Sequence, residues 1–267
     1  MRSKYLSLLF IFGLGTLSSG CTVSDDTSTP QTSTPSLPAN AITITTDNAQ
    51  ALALMASSTA NTALSVIGVE TIELPGQLLV NKIIKNSLNT NNRTYDTVVG
   101  VTEAGNCPVS GTYSDTIEST PTSESGSNTY TNCNDGSFVI DGLFTYNSSW
   151  NNTTGDYTSN GGGNAEITFG ATPFIISLTY SSSGNYFTNA YSDDFIVSIS
   201  TTNIGILVET TQSFSGIYPG MASSGQIIVT GKNNTRLRVT LNSTTTAIVE
   251  LDNGNGIFAL HSTISTI

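Results

Sequence analysis

The residues in this sequence that could do chemistry are few. His261 is the only histidine. A Ser-His-Asp arrangement could use it, but no Gly-x-Ser-x-Gly turn accompanies it. A metal site built on it would rest on carboxylates alone, so it reads as a strand-end residue. Asp193 and Asp194 adjoin, and Asp141, Glu166, Glu209 and Glu250 fall in or near extended segments. Glycoside hydrolysis requires two carboxylates about 5 to 9.5 Å apart in a cleft, and an acidic chain offers such pairs by chance. Asp252-Asn-Gly-Asn-Gly256 invites a calcium reading, but Gly254 and Gly256 stand where oxygen donors belong and no Glu follows. A tight turn is the reading adopted, and Asn132 to Ser137 fails the same test. Trp150, near Tyr146 and Tyr157, is either a platform for stacking a sugar or an aromatic cover on a sheet edge. No glycine loop that would cradle a phosphate precedes a helix. The sequence therefore assigns no catalytic residue, no metal and no cofactor.

Cysteine is the remaining reactive type, with three copies. Cys21 follows a positive start (Arg2, Lys4), an apolar run from Leu6 to Leu14 and the small residues Ser18, Ser19 and Gly20. That tripartite order describes a secretory signal over residues 1–20; the apolar run is too short for a spanning helix, which takes about 20 residues. Leu17-Ser-Ser-Gly-Cys21 resembles a lipobox, with the leucine one place further back than usual. The expectation is a diacylglycerol thioether on Cys21, which becomes the mature N-terminus and anchors the chain in a membrane. Thr22 is not Asp, which favours the outer membrane. Cys107 and Cys133 are then an even pair in an oxidising compartment, so a disulfide is expected.

Residues 21–39 continue as a Ser/Thr/Pro-rich tether; from Ser24 to Ala39 Leu37 is the only bulky side chain. Such a stretch buries too little apolar surface to offset its ordering entropy. Residues 40–267 remain as one domain, ample for a hydrophobic core. Without the signal segment the chain is acidic: eight basic residues less Arg2 and Lys4 leaves six against 19 acids. Nucleic acid is excluded as a partner, because phosphate binding needs a basic footprint. The surface is filled by Ser, Thr, Asn and Gly.

The elements that must position these residues are mainly strands. Asp47 to Gly68 has an apolar face of Ala49, Leu52, Ala53, Ala56, Ala60, Ala63, Leu64 and Ile67 at helical spacing, with Thr46 or Asp47 as cap. A second short helix is expected over Gln77 to Leu88. After Asn92, short alternating segments predict strands near 96–103, 107–117, 127–133, 137–146, 163–169, 173–181, 194–201, 204–211, 225–231, 235–241, 245–251 and 256–262. Asn134-Asp-Gly136, Lys232-Asn-Asn234 and Asp252-Asn-Gly254 supply hairpin turns, and Asn151 to Asn164 reads as an exposed loop. If Cys107 faces Cys133 in a hairpin, Val109 faces Thr131, Gly111 faces Thr129 and Tyr113 faces Ser127, around a loop from Asp115 to Gly126. The fold class expected is mainly β. It is a large curved antiparallel sheet, as open barrel or sandwich, with one or two N-terminal helices packed on it.

Cys107-Pro-Val-Ser-Gly-Thr, Tyr130-Thr-Asn-Cys133 and Ile140-Asp-Gly142 resemble a pattern in uncharacterised Gram-negative lipoproteins. There, a Cys-x-x-x-Gly strand precedes an Asn-Cys strand. Ser224-Gly-Gln-Ile-Ile-Val-Thr-Gly231, Arg236-Leu-Arg-Val and Val249-Glu-Leu-Asp-Asn-Gly-Asn-Gly256 are similar to their closing strands. The resemblance implies an exported β-rich fold and no known activity.

Three functions are open to such a chain. It is read first as a non-enzymatic cell-envelope lipoprotein whose sheet presents a surface to a partner or to envelope polymers. A second reading is a carrier of a lipid or other apolar ligand. Leu52, Met55 and Leu64 of the helix with Ile176, Leu178 and Ile196 of the sheet would line a cavity of several hundred Å³. A third is a carbohydrate-binding or hydrolase domain.

Overall fold

The computed structural model describes residues 34–54, 56, 98–136, 138–170, 172–217 and 222–265. Most of them lie in twelve strands: β1 (Val98–Asn106), β2 (Ser110–Thr120), β3 (Ser123–Asn134), β4 (Val139–Trp150), β5 (Asp156–Phe169), β6 (Thr172–Asn185), β7 (Ala190–Ser200), β8 (Gly205–Ile217), β9 (Ser224–Thr230), β10 (Arg236–Leu241), β11 (Thr246–Asp252) and β12 (Ala259–Ser265). They form one open sheet in chain order, every strand antiparallel to its neighbours. The protein is mainly β, and the single sheet selects the open arrangement over the sandwich. Each predicted strand has a counterpart. Helical geometry among the described residues is confined to 49–54 and 56 and a one-turn 3-10 segment at Lys232–Asn234. The remainder of the predicted first helix, including Met55 and Leu64, and all of the second lie outside the described residues, as does Cys21.

Two expected loops are strand. β2 and β3 run through the predicted loop at 115–126 and turn only at Pro121 and Thr122, pairing Thr120 with Ser123. β5 begins at Asp156, inside the stretch read as a loop to Asn164. Polar, glycine-rich segments break strands when judged alone. Here cross-strand neighbours supply what the local sequence lacks: threonine suits the pleat, and aromatic rings from adjacent strands fill the space over the glycines.

The cysteine register also differs. Thr112 faces Thr131, Tyr113 faces Tyr130 and Ser114 faces Thr129. The disulfide forms, with Cα atoms 5.4 Å apart, but Cys107 lies in the corner between β1 and β2, where its N–H donates to Gly111 O. The bulge between Ser110 and Thr112 shifts the pairing. At its centre Gly111 has φ +82°, and a Cβ there would sit 2.0 Å from Asn132 O.

Alternation gives the sheet two faces. On β7, Tyr191, Asp193, Phe195, Val197 and Ile199 are buried, and the residues between them are half-buried. The buried face carries one apolar cluster from Ile140 and Ile167 through Leu178, Val197, Val208, Val229, Leu237 and Leu251. Ile44, Ala49, Leu52, Ala53 and Ala56 join it from the N-terminal segment. Fully burying a leucine or isoleucine contributes about 1.5–3 kcal/mol, so this row is the main source of stability.

The N-terminal segment reaches that face by crossing one end of the sheet. Asn40 Nδ2 donates to Thr201 O at 2.6 Å, Ala41 makes a parallel bridge with Gly205, and Lys232 N–H donates to Ile42 O at 2.7 Å. Ile44 N–H then donates to Thr235 Oγ1. Glycine is required twice along this path. A Cβ on Gly205 would lie 2.5 Å from Asn40 Oδ1, and one on Gly231 would lie 2.4 Å from Ile42 O.

Candidate functional site

The open face is built from hydroxyl and amide side chains. Because strand registers are continuous, these side chains align in rows across the sheet. One row is Thr116, Ser127, Thr145, Gly162 and Thr179; another is Ser114, Thr129, Leu143, Asn164, Ser177 and Ser198. A third joins Thr120, Ser123, Ser149, Thr158, Ser183 and Ser192. Rows of this kind repeat at about 4.8 Å from strand to strand. Hydrogen bonds link neighbouring strands across this face: Ser149 Oγ to Thr158 Oγ1 at 3.0 Å, Ser213 Oγ to Asp194 Oδ2 at 3.0 Å, and Gln226 Nε2 to Thr240 Oγ1 at 2.9 Å. Few apolar side chains interrupt the rows, and Ile175 is the most exposed of them. Chemically, this is a broad lattice of donors and acceptors.

The buried face has a polar seam of its own. Glu124, Ser148, Ser159, Ser182 and Asp193 are successive cross-strand neighbours from β3 to β7. Ser148 and Ser159 hydroxyls are 2.9 Å apart, and Tyr146 Oη donates to Glu124 Oε1 at 2.9 Å. The seam lies between two rows in which aromatic rings alternate with glycine. Trp150, Tyr157, Gly184, Tyr191 and Gly216 form one; Gly126, Tyr146, Gly161, Tyr180 and Phe195 form the other. Tyrosines 146, 157, 180 and 191 each lie over the glycine opposite. A Cβ on Gly161 would be 2.9 Å from the Tyr180 ring, and one on Gly216 would be 2.6 Å from Tyr191 Oη. Burial, followed by the Asp115 charge, pushes the Tyr130 phenol up to about 12. Burial raises Tyr146 and Tyr157 as well, reinforced by Glu124 at the first and Asp193 at the second. Proton transfer by these phenols near neutral pH is therefore disfavoured, and the seam reads as a register lock.

At the far end of the open face, Arg238 and Glu250 form a two-pronged pair at 2.6 and 2.8 Å. Arg236 reaches Asp252 Oδ2 at 2.7 Å. Both guanidiniums lie over the Phe258 ring, 5.1 and 4.4 Å from its centroid. The other Asp252 oxygen accepts the Gly254 and Gly256 N–H groups, each at 2.9 Å. The Asp252 carboxylate thus anchors the turn and the arginine, in the tight turn read from sequence.

The remaining site candidates are dispersed. Leu52, Ile176 and Leu178 share the core cluster, whereas Ile196 pairs with Thr179 and Glu209 on the open face. The period of two, applied across β6 and β7 separately, could not reveal that opposition. Two depressions, of about 510 Å³ and 370 Å³, lie at β1–β3 and beside Arg236. Neither lies between the helical segment and the sheet. Asp141 and Glu166 oppose each other on the open face. Asp193 is buried and Asp194 points to the other side. His261 is half-buried on the edge strand β12.

Tyr157 lies opposite Trp150 but is only 2 % exposed, under cover of its own row. The aromatic side chains that join Trp150 at the sheet end come from the β6–β7 turn. Tyr186 Oη donates to Asn151 O at 3.3 Å, and Phe187 packs over Gly155 while remaining 61 % exposed. These two are 36 and 37 residues from Trp150, so linear proximity gave no signal; alternate turns of a meander falling on one end would have.

Comparison with known proteins returns no match: no family model, curated protein or solved structure is similar to this chain.

Proposed function

We propose that this chain is an exported cell-envelope lipoprotein, anchored to the outer membrane through Cys21, that works without catalysis by presenting its sheet to an envelope polymer. The observation that carries this reading is the open face. Its Ser, Thr and Asn rows extend from β2 to β7, with the carboxylates Glu118, Asp141, Asp156, Glu166 and Asp194 set among them. A polymer whose own hydroxyl and amide groups repeat along its length makes many weak hydrogen bonds to such a surface, and their number supplies the retention. Kinship with the uncharacterised Gram-negative lipoproteins, suggested by the strand pattern around Cys107 and Cys133, is part of the same proposal. Burial of one face along most of the sheet supports a curved sheet partly covered by the N-terminal helix.

The test is cosedimentation of the purified full chain with insoluble peptidoglycan and with envelope polysaccharide. Retention should persist in about 0.5 M salt, where attraction between exposed charges is screened, and fall when Thr145 and Thr179 are both replaced by leucine. Equal recovery in the supernatant with and without every polymer would end the proposal. Radiolabelled fatty acid incorporated by the wild type and not by Cys21→Ala tests the anchor.

A further inference from the structure

The turns β2–β3, β4–β5 and β6–β7 fall on one end of the sheet, because connections in an antiparallel meander alternate between ends. The N-terminal segment crosses the other end, at Thr201 and Lys232. The three tips are tied into one rim. Trp150 Nε1 and Asn152 Nδ2 both donate to Pro121 O, at 3.0 and 3.2 Å. Tyr186 N–H donates to Gly155 O at 2.9 Å, and its hydroxyl reaches Asn151 O. Tyr186 and Phe187 meet edge to face with centroids 4.6 Å apart. The indole is thereby held in one orientation by the turn of a different hairpin, and Phe187 is held by Gly155, whose φ of +80° and lack of a Cβ admit the ring. Fixed rings at an exposed edge lose little conformational freedom on binding, which is the condition for an anchor residue.

We infer that this rim of Trp150, Tyr186 and Phe187, flanked by Asn152, is a stacking site for neutral sugar units of a polysaccharide. The inference rests on the reading of the sheet as a polymer-binding surface and supplies the ligand class. A pyranose face presents a patch of C–H groups bordered by hydroxyls. The C–H groups meet the negative face of an aromatic ring, and the hydroxyls meet amide and hydroxyl groups beside it. Charge decides against the other surface that takes aromatic side chains, an anionic membrane. Attraction to such a membrane requires lysine or arginine near the contact. The cations among the described residues are Lys232, Arg236 and Arg238, all in the β9–β10 turn or β10. The charged group beside the rim is Asp156, whose carboxyl is held below its usual range by hydrogen bonds from Asn185 and Thr154. A neutral ligand fits these surroundings and a phosphate-rich one does not.

Trp150 is the only tryptophan in the chain, so intrinsic fluorescence reads the rim directly. The full-length chain is titrated with N-acetylglucosamine oligomers, with neutral gluco-oligosaccharides and with phosphatidylglycerol vesicles. A saturable fluorescence change with one neutral oligosaccharide is expected, weakened about tenfold or more in Phe187→Ala and in Tyr186→Ala. Both variants should keep the wild-type unfolding temperature within a few degrees. Because Tyr186 is tied into the turn, Phe187→Ser serves if Tyr186→Ala unfolds. No response to any sugar, a response to vesicles alone, or a sugar response unaltered in every rim variant each overturns the inference. Polymer cosedimentation separates the two claims. If rim variants sediment like the wild type while Thr145→Leu/Thr179→Leu does not, the open face binds and the rim does not. If no form sediments, the reading of the sheet itself fails.

Discussion

Tyr157 on β5 lies directly opposite Gly184 on β6, and its ring fills the volume that a side chain at Gly184 would occupy. A Cβ placed there would be 2.1 Å from Ala190 O and 2.7 Å from Tyr157 Oη. Gly184→Ala should therefore cost about 1–3 kcal/mol, the range for overpacking a filled site, read from the urea midpoint at constant slope. Adding Tyr157→Ala relieves the ring contact but leaves the Ala190 carbonyl in place. The double variant should consequently be less destabilised than the sum of the two single changes. Strict additivity would show that ring and glycine do not share the space.

The disulfide ties the β1–β2 corner to the end of β3 across a sequence separation of 26. Loop closure of this size contributes roughly 3 kcal/mol in the chain-entropy model. Cys107→Ser/Cys133→Ser should lower the urea midpoint accordingly, and dithiothreitol should move the wild type to meet it. Coincident unfolding curves for oxidised and reduced protein would contradict this.

Much of the fold is legible in the sequence because strands alternate and turns have their own residues. Asp252-Asn-Gly reads as a turn and is one, since the aspartate carboxylate binds the glycine N–H groups locally. What could not be read depends on partners distant in sequence. Gly161 and Gly163 look like strand breakers until Tyr180 and Phe144 lie over them. The offset of Thr131 from Val109 to Thr112 follows from a bulge at Gly111, which pairing arithmetic between cysteines does not anticipate. Ile196 looks like a cavity residue beside Ile176 until the β6–β7 register puts it on the open face. The rim needs three turns to converge, which no single segment of the sequence shows.

The two ion pairs set an acid limit. The hydrogen bond from Arg238 holds the Glu250 carboxyl below its ordinary 4.5. Burial alone would raise Asp252, but Arg236 and the glycine N–H groups bring it below 3.8. Groups with depressed folded values add stability above their unfolded values and lose it as pH falls through the folded ones. Unfolding temperature should hold from about pH 7 to about 5 and decline steadily below about 4. Arg236→Gln/Arg238→Gln should be less stable at neutral pH and show a shallower acid decline. A parallel decline in both proteins would place the acid sensitivity elsewhere.

The alkaline side has the opposite sign. Burial, then Asp115, raises Tyr130 from 10.0 to about 12. A phenol raised in the folded state contributes stability below its unfolded value, and this is lost as pH climbs toward the folded one. Phenolate absorbance should therefore lag a denatured control between about pH 10 and 12 and then rise together with unfolding. Full ionisation of the tyrosines near the ordinary phenol value without unfolding would refute the buried-phenol rows.

The chain-ordered meander has a consequence for the timing of assembly. Every strand finds its partner in the segment just before it, so hairpins can zip progressively as the polypeptide is made, with little loop entropy lost at each addition. The N-terminal segment is the exception. It is made first, yet its dock on Thr201, Gly205, Lys232 and Thr235 does not exist until β10 begins. The earliest-made part of the domain thus settles only after nine of the twelve strands have been made.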